Sequence, residues 1–486
     1  MTLALLVGTP LAVALLLVVV GARMGRGPAG IVGAGAIFVA FASAAAVAQA
    51  IAGGRTEIVA DLGQWLPIRG ADSGLRVDPS TLPLLLAVTA IATFIGIWAA
   101  ASLRRDPGAA RFFIALDLLA AALLVVLMAR DLIFLVAGWQ MVGVSAYLLI
   151  AQERQRPEAS FAAARAFVVA RAGDVSLLVA VCALLALFQT VDIEQLAARL
   201  ATTRLAPAAE NGLLAASLLV VLAALARAAQ LPFQSWLPDR TQAPAPSVAA
   251  IHALVTMTGA ILLIRLSPLL HAGALSGAAT VGLGGSALAM LAAMTARPAS
   301  RERWLTTAQF GIVIAACSLG SASTIFIVLA ASVSRAATAL VAGPAPWLAR
   351  VVSLLGLVAT SGALLAGAVP IPLGVGLVIL IVLAVIEAAL DLRRSMVVAS
   401  ASIGRATAAV RVLDVGDDSI RAAFGGVAKL MEQGGEQSLG AVADALARIA
   451  RRASVAAGSF QRATVWTHES LLLVTAVAVV VYWIAR

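Results

Sequence analysis

Apolar runs of about 20 residues, the length of a helix that crosses a bilayer, recur along the whole chain. The runs place spans near 2–21, 30–52, 82–102, 112–129, 131–151, 161–187, 212–230, 246–267, 276–296, 305–320, 322–342, 348–368, 371–391 and 469–485, about fourteen in all. The alternating short segments of a membrane β-barrel are absent from this pattern. The first run, Thr2 to Val20, lacks a basic leader and a clear cleavage site and reads as a retained span. One stretch breaks the rhythm. Residues 395–465 are too polar to span, yet Ile420, Phe424, Val427, Leu430 and Met431 recur at helical spacing, as do Leu439, Val442, Leu446 and Ile449. Arginines and acids fill the opposite face. This pattern predicts an amphipathic helix lying on the membrane or along a partner, interrupted at Gly434-Gly435 and followed by a last anchoring span. The predicted fold class is therefore an all-α, multi-pass membrane protein.

Composition agrees. The 486 residues are 62% hydrophobic and 12% charged, where soluble domains carry about 25% charged residues. The net charge of +10 is almost all arginine, since lysine occurs only at Lys429. A nucleic-acid partner would need a basic soluble module, and none is present. The arginines sit instead between spans: Arg23 and Arg26, then Arg104, Arg105 and Arg111, then Arg154, Arg156 and Arg165. The alternate loops, 53–81 and 188–211, hold a slight excess of acids. The positive-inside rule then puts the odd loops in the cytoplasm and the N-terminus outside. Cys182 and Cys317 fall in apolar runs without metal-ligand spacing and read as small packing residues. No nucleophile–base pair, phosphate loop or metal cluster supports a soluble enzyme.

Polar groups at bilayer depth are costly and are functional suspects by default. They are Asp117 in the fourth span, Gln140 in the fifth, Arg171 and Asp174 in the sixth, Arg227 in the seventh, His252 in the eighth and Arg335 in the eleventh. Glu387 and Asp391 close the thirteenth beside Arg393 and Arg394. Each also has a plain structural reading. Arg171 and Asp174, one helical turn apart, can neutralise each other; Asp117 can hydrogen-bond between helices; Glu387 and Asp391 can sit at the interface. Pro232 breaks the seventh span and frees a carbonyl in the turn before it. Irregular backbone at this depth must be buried in protein or line a wet cavity, and transporters place such breaks at ion sites. Gln230, Gln234 and Ser235 add polar groups around the break, and His252 opens the next span. A hydrated path satisfies this pattern, and so does a kinked packing helix whose freed carbonyl bonds to His252.

The segment "AAQLPFQSWLPD…APAPSVAAIHA", within Ala226–Thr256, resembles the broken-helix segment of the antiporter-like subunits of respiratory complex I, especially subunit L (mitochondrial subunit 5). That family shows a lysine followed by Ser-Ala-Gln-Leu-Pro, then Trp-Leu, Pro-Thr-Pro-Val-Ser and a histidine. "LVAGWQMVGVSAYLLI" (Leu135 to Ile150) and "RAFVVARAGDVSLL" (Arg165 to Leu178) are similar to two further family motifs, in the same order. The resemblance is strong over 110–265 and weaker over 300–345. It implies N-terminal helices at 1–110, a first antiporter-like half-channel at 111–270, a second, degenerate one at 271–394, a lateral helix at 395–465 and an anchor at 466–486. The same fold serves cation/proton antiporters, membrane-bound hydrogenases and inorganic-carbon uptake complexes.

The chain departs from the family at charged positions. Gln140 stands where the family has a glutamate, and Arg227 and Arg335 stand where it has lysines. The second broken helix maps onto the uncharged Leu364 to Leu383, and the chain is shorter than the family's usual length. A buried lysine can trade protons, whereas a guanidinium stays charged and a glutamine cannot ionise. The expected proton-relay residues are therefore His252, whose ordinary pKa near 6.5 suits relay work, and Asp174. Arg227, Arg335, Arg171, Gln140 and Gln230 are expected as fixed charge or channel lining around Pro232, with Asp174 as a replacement partner for Arg227.

The resemblance implies a membrane-arm subunit of a complex I-like NADH-quinone oxidoreductase that takes part in redox-coupled proton translocation, with pumping impaired or lost. By the same resemblance the chain holds no cofactor or metal. Flavin, iron–sulfur clusters and quinone would belong to partner subunits, and the setting would be the bacterial inner (plasma) membrane. Two alternatives stand beside it: a non-pumping scaffold of such a complex, and a cation/proton antiporter or inorganic-carbon uptake subunit.

Overall fold

A computed structural model describes residues 2–341, apart from 22, 25, 65–70, 105, 154–155, 203–204, 297 and 321–323, together with Thr360. The predicted spans at 348–368, 371–391 and 469–485, the amphipathic segment at 395–465 and the groups Glu387, Asp391, Arg393 and Arg394 lie outside the described residues.

The chain runs through α1 (Thr2–Val20), α2 (Arg26–Ala52), α3 (Leu82–Ser102), α4 (Ala109–Met128), α5 (Leu132–Ile150), α6 (Pro157–Phe188), a short α7 (Ile193–Thr202), α8 (Pro207–Arg227), α9 (Ala245–Ala250), α10 (Thr256–Leu266), α11 (Ala272–Thr295), α12 (Pro298–Leu319) and α13 (Thr324–Val341). Every predicted span up to residue 342 falls on one of these helices or, for 246–267, on α9 and α10 joined by a π turn at Ile251–Val255. Among the described residues, nine helical segments are long and apolar enough to cross a membrane. Local chemistry sets their ends. Asp131 caps α5 by accepting from the N–H groups of Ile133 (2.9 Å) and Phe134 (2.8 Å), which meets two of the donors a helix start leaves open. Proline opens α6 and α8, where its missing N–H costs nothing. At 32 residues, α6 is about 48 Å long against a hydrocarbon layer of about 30 Å, so it crosses at a tilt or extends beyond the layer.

Loops of like parity meet. Arg111 of α4 donates to the carbonyl of Gln152 in the fifth loop (3.1 Å), and Ser247 of α9 donates to the Gln152 side chain (2.8 Å). On the opposite face a structure forms that the apolar pattern did not predict. Strands β1 (Ile58–Gln64) and β2 (Asp72–Val77) pair antiparallel within the second loop. The N–H of Arg130 donates to the carbonyl of Gly74 (3.0 Å), the N–H of Ile193 to that of Arg130 (3.0 Å) and the N–H of Leu132 to that of Val191 (2.9 Å). Arg76 pairs with Glu57 at 2.8 Å and also with Glu194 on α7. Hairpin, tight turn and α7 thus form one cap outside the spans, so the fold is helical with a small hairpin rather than purely α.

Asp78, between β2 and α3, accepts from the N–H groups of Ser80 (3.0 Å) and Thr81 (2.9 Å). Burial alone would raise its carboxyl. The hydroxyls of Ser80 and Thr81, the Thr81 N–H and the charge of Arg76 outweigh burial and hold it below the ordinary carboxylate value. Of the two cysteines, Cys317 is buried as expected, while Cys182 is exposed on α6: helical spacing puts it on the side turned away from the bundle.

Candidate functional site

Helix α8 stops at Arg227, and α-structure resumes at Ala245, with one 3-10 turn at Phe233–Trp236 between them. Ala229 has φ +52° and the Leu231–Pro232 peptide is cis. A positive φ is uncommon for a residue with a Cβ, and here it turns the chain out of the helix. The break frees carbonyls, and four in and beside it find side-chain donors. The carbonyl of Ala226 accepts from Trp236 Nε1 (2.9 Å), that of Ala228 from Gln230 Nε2 (3.1 Å), that of Ala229 from Thr307 Oγ1 (3.1 Å) and that of Pro238 from His252 Nε2 (2.8 Å). Gln230 Nε2 also reaches the Thr307 carbonyl at 3.0 Å. These four carbonyls are thus met by the protein itself. The Oε1 of Gln230, both polar atoms of Gln234 and the hydroxyl of Ser235 are buried without a hydrogen-bond partner, which is the chemistry of sites that hold ordered water.

Arg227, the last residue of α8, meets Asp174 of α6 at 2.7 Å between Nη2 and Oδ1. A cation at this position also faces the negative end of the helix dipole. Arg171, one turn before Asp174, reaches Oδ2 at 2.7 Å, and the indole N–H of Trp139 donates to Oδ1 at 2.6 Å. Arg171 Nη1 donates to Gln140 Oε1 at 2.9 Å. Both guanidiniums lie over aromatic faces, Arg227 at 4.6 Å from the Trp139 ring and Arg171 at 4.5 Å from Phe167. Two glycines make this geometry possible. A Cβ on Gly173 would meet Ala226 at 2.8 Å, so its absence lets α6 approach α8; a Cβ on Gly143 would lie 3.1 Å from Arg171 and 3.2 Å from Arg227. The side chains of Asp174 and Arg227 are 2% and 3% exposed, that of Arg171 37%. With two guanidiniums, one carboxylate and the neutral Gln140, the cluster carries one net positive charge. A small cavity between α5, α6 and α8 adjoins it, lined by Gly143, Ala146, Ala166, Ala170, Ala223 and Arg227 among others.

His252 sits in the π turn, a wider turn that recurs at functional sites. Its Nε2 faces the Pro238 carbonyl and its Nδ1 faces Thr306 Oγ1 at 2.7 Å; Thr306 Oγ1 in turn lies 2.8 Å from the carbonyl of Glu302. A carbonyl only accepts, so Nε2 carries hydrogen. The Thr306 hydroxyl has one proton to give. When His252 is neutral, that proton turns to Nδ1. When His252 takes a second proton, Nδ1 donates to Thr306 and the hydroxyl turns to Glu302. Rotation of one hydroxyl thus accommodates either state. Arg335 (2% exposed, on α13) and Arg303 (6% exposed, on α12) lie within electrostatic reach of His252. Asp117 on α4 is fully buried and both its oxygens lack a hydrogen-bond partner among the described residues, so no described helix supplies the bond expected of it.

Residues 129–347 match the NADH:quinone oxidoreductase/Mrp antiporter transmembrane family. The chain is 32% identical to NADH-quinone oxidoreductase subunit L of Mycobacterium tuberculosis over 272 residues, 54% of this chain and 42% of that one. It is 32% identical to the Escherichia coli subunit L over 300 residues (59% and 48%), and 29% identical to a probable inorganic carbon transporter subunit DabB1 of Halothiobacillus neapolitanus over 265 residues (53% and 47%). The chain thus spans less than half the length of these relatives. In fold it is similar to a chain of the Mrp complex from Dietzia (TM-score 0.67, 18% identity, 99% of this chain and 63% of that one). It is likewise similar to a chain of an archaeal membrane-bound sulfane sulfur reductase (TM-score 0.67, 16% identity, 89% and 96%).

Within the matched region the structure gathers the sequence-predicted residues into two centres. Arg171, Asp174, Arg227 and Gln140 form the first. His252 and Arg335 form the second, with Gln230 and Pro232 in the break between them. Sequence reasoning missed Thr306, Thr307, Trp236 and the indole of Trp139 as hydrogen-bonding partners. The adjacent threonines in an otherwise apolar run were the available signal for the first two.

Proposed function

We propose that this chain is an antiporter-like membrane-arm subunit of a complex I-like NADH-quinone oxidoreductase and takes part in redox-coupled proton translocation in a bacterial inner membrane. The observation that carries the reading is the Arg171–Asp174–Arg227 cluster, with Asp174 and Arg227 buried, at the end of a broken helix, and a histidine on the next helix bonded to the broken segment. The first centre supplies a fixed field, because neither guanidinium can release its proton and Asp174 is ion-paired to both and bonded by the Trp139 indole. His252 moves the proton, Thr306 is its hydroxyl neighbour, and Gln234, Ser235 and Gln230 Oε1 offer sites for the water that would bring it. Arg335 repels a proton that stays on His252 and so favours its onward release. Flavin, iron–sulfur clusters and quinone belong to partner subunits.

A second reading, a non-pumping scaffold, is favoured by the replacement of the family's lysine and glutamate by Arg227 and Gln140. Proton flux in proteoliposomes carrying the purified assembly separates the two. Under the lead reading, His252→Ala lowers redox-driven flux by about 100-fold, the scale of losing a proton-transfer group; unchanged flux selects the scaffold. Copurification of flavin and iron–sulfur subunits supports the redox assembly. Copurification of a zinc protein instead would point to the carbon-uptake relative's kind of partnership.

A further inference from the structure

Asp117 lies near the middle of α4, fully buried, with neither carboxyl oxygen bonded to any group among the described residues. The helices packed on α4 offer it no counter-charge. Helices α1 and α3 carry no ionisable residue along their length. On α2 the only one is Arg26 at the first position, and on α5 it is Tyr147, whose ring meets Phe167 of α6. Arg265, near the end of α10, donates to the Ala129 carbonyl beyond the far end of α4. Arg76 of β2 is engaged by Glu57 and Glu194 in the cap. Phe113 packs against Gly33 of α2, so helical spacing puts Asp117 on the same face one turn later, level with the buried Ile37 and Ala40. Gly21, in the turn after α1, adjoins Ala110, which puts Asp117 level with the buried Ala14 of that antiparallel helix.

An isolated ionised carboxylate in such surroundings is so costly that the group takes up a proton instead. A metal cation does not resolve the cost, because sodium-like ions need several oxygen ligands and no group of three metal-binding side chains exists among the described residues. We propose that Asp117 is a proton-binding site of the N-terminal helices, held as the neutral acid and separate from the Asp174 cluster. Two aspartates at bilayer depth thus have opposite surroundings: Asp174 is ion-paired to two guanidiniums and accepts from the Trp139 indole, whereas Asp117 meets no donor among the described residues and stores a proton. The proton leaves only when helix movement brings water or a cation to α4.

Infrared spectroscopy of the full chain in lipid tests this. The carbonyl band of a protonated carboxylic acid is expected at neutral pH in the unmutated protein, shifted by carboxyl-13C aspartate and lost in Asp117→Asn. The melting temperature of Asp117→Asn is expected to equal or exceed that of the unmutated protein, since one neutral group replaces another. Absence of an isotope-sensitive protonated-carboxyl band at neutral pH overturns the proposal, even where the variant fails to fold. So does retention of the full band in a folded Asp117→Asn protein.

Discussion

The two buried polar centres differ in what they can let go. Around Asp174, every group is tied by an ion pair, an indole N–H or an aromatic face, and each cation is a guanidinium. Around His252, the partners are a carbonyl and a hydroxyl, and a second proton costs one hydroxyl rotation. The comparison teaches that depth and polarity alone do not make a relay: the Asp174 centre ties its charges to one another and is the less able to change them. Sequence position suggested a shared role for Asp174 and His252, while geometry divides the roles into a fixed field and a movable proton.

The largest expected effect comes from removing the shared anion. Asp174→Ala leaves Arg227 buried without a partner and should cost about 3–5 kcal/mol, read as thermal unfolding in detergent. His252→Ala leaves the Pro238 carbonyl unpaired and should cost less, about 1–3 kcal/mol, while removing most proton flux. The reverse order of stability would erase the distinction drawn between the centres. Thr306→Val should lower flux in the same direction as His252→Ala while leaving the ion-pair cluster intact, and equal flux would remove the hydroxyl from the pathway. Gln140→Glu sharpens the comparison from the other side. It offers Arg171 a second anion, brings the cluster to neutrality and should stabilise by about 1 kcal/mol, the margin of a charged over a neutral hydrogen bond.

The smallest effect lies outside both centres. Because the folded protein holds Asp78 below the ordinary carboxylate value, its stabilisation is complete above the unfolded aspartate value of about 3.9 and fades as pH falls through the lower folded one. The stability difference between the unmutated protein and Asp78→Ala should therefore be widest at neutral pH and shrink in acid, and a difference that grows in acid would contradict the assignment.

Much of this was legible in the chain. Apolar runs located the helices to within a few residues, because bilayer thickness dictates their length. Pro232 marked the break, and Arg171 and Asp174 one turn apart announced an ion pair. The cap was not legible, because β1 and β2 pair with each other and lean on Ala129 and Arg130 through backbone bonds that leave no apolar signature. Thr306 looked like any small polar residue until α12 carried it 2.7 Å from an imidazole.

By itself the sequence determined the solvent, the spans and the inventory of charges, since hydrophobic length and residue type are local properties. Tertiary structure alone decided which charges are compensated. Asp117 and Asp174 are the same residue in the same kind of helix, yet the packing of α5 and α8 on α6 brings Asp174 an indole N–H and a second guanidinium, while α4, among apolar helices, brings Asp117 no donor among the described residues. Electrostatic compensation depends on distances of a few ångströms between segments far apart in the chain, and the order of residues does not encode those distances in any local pattern.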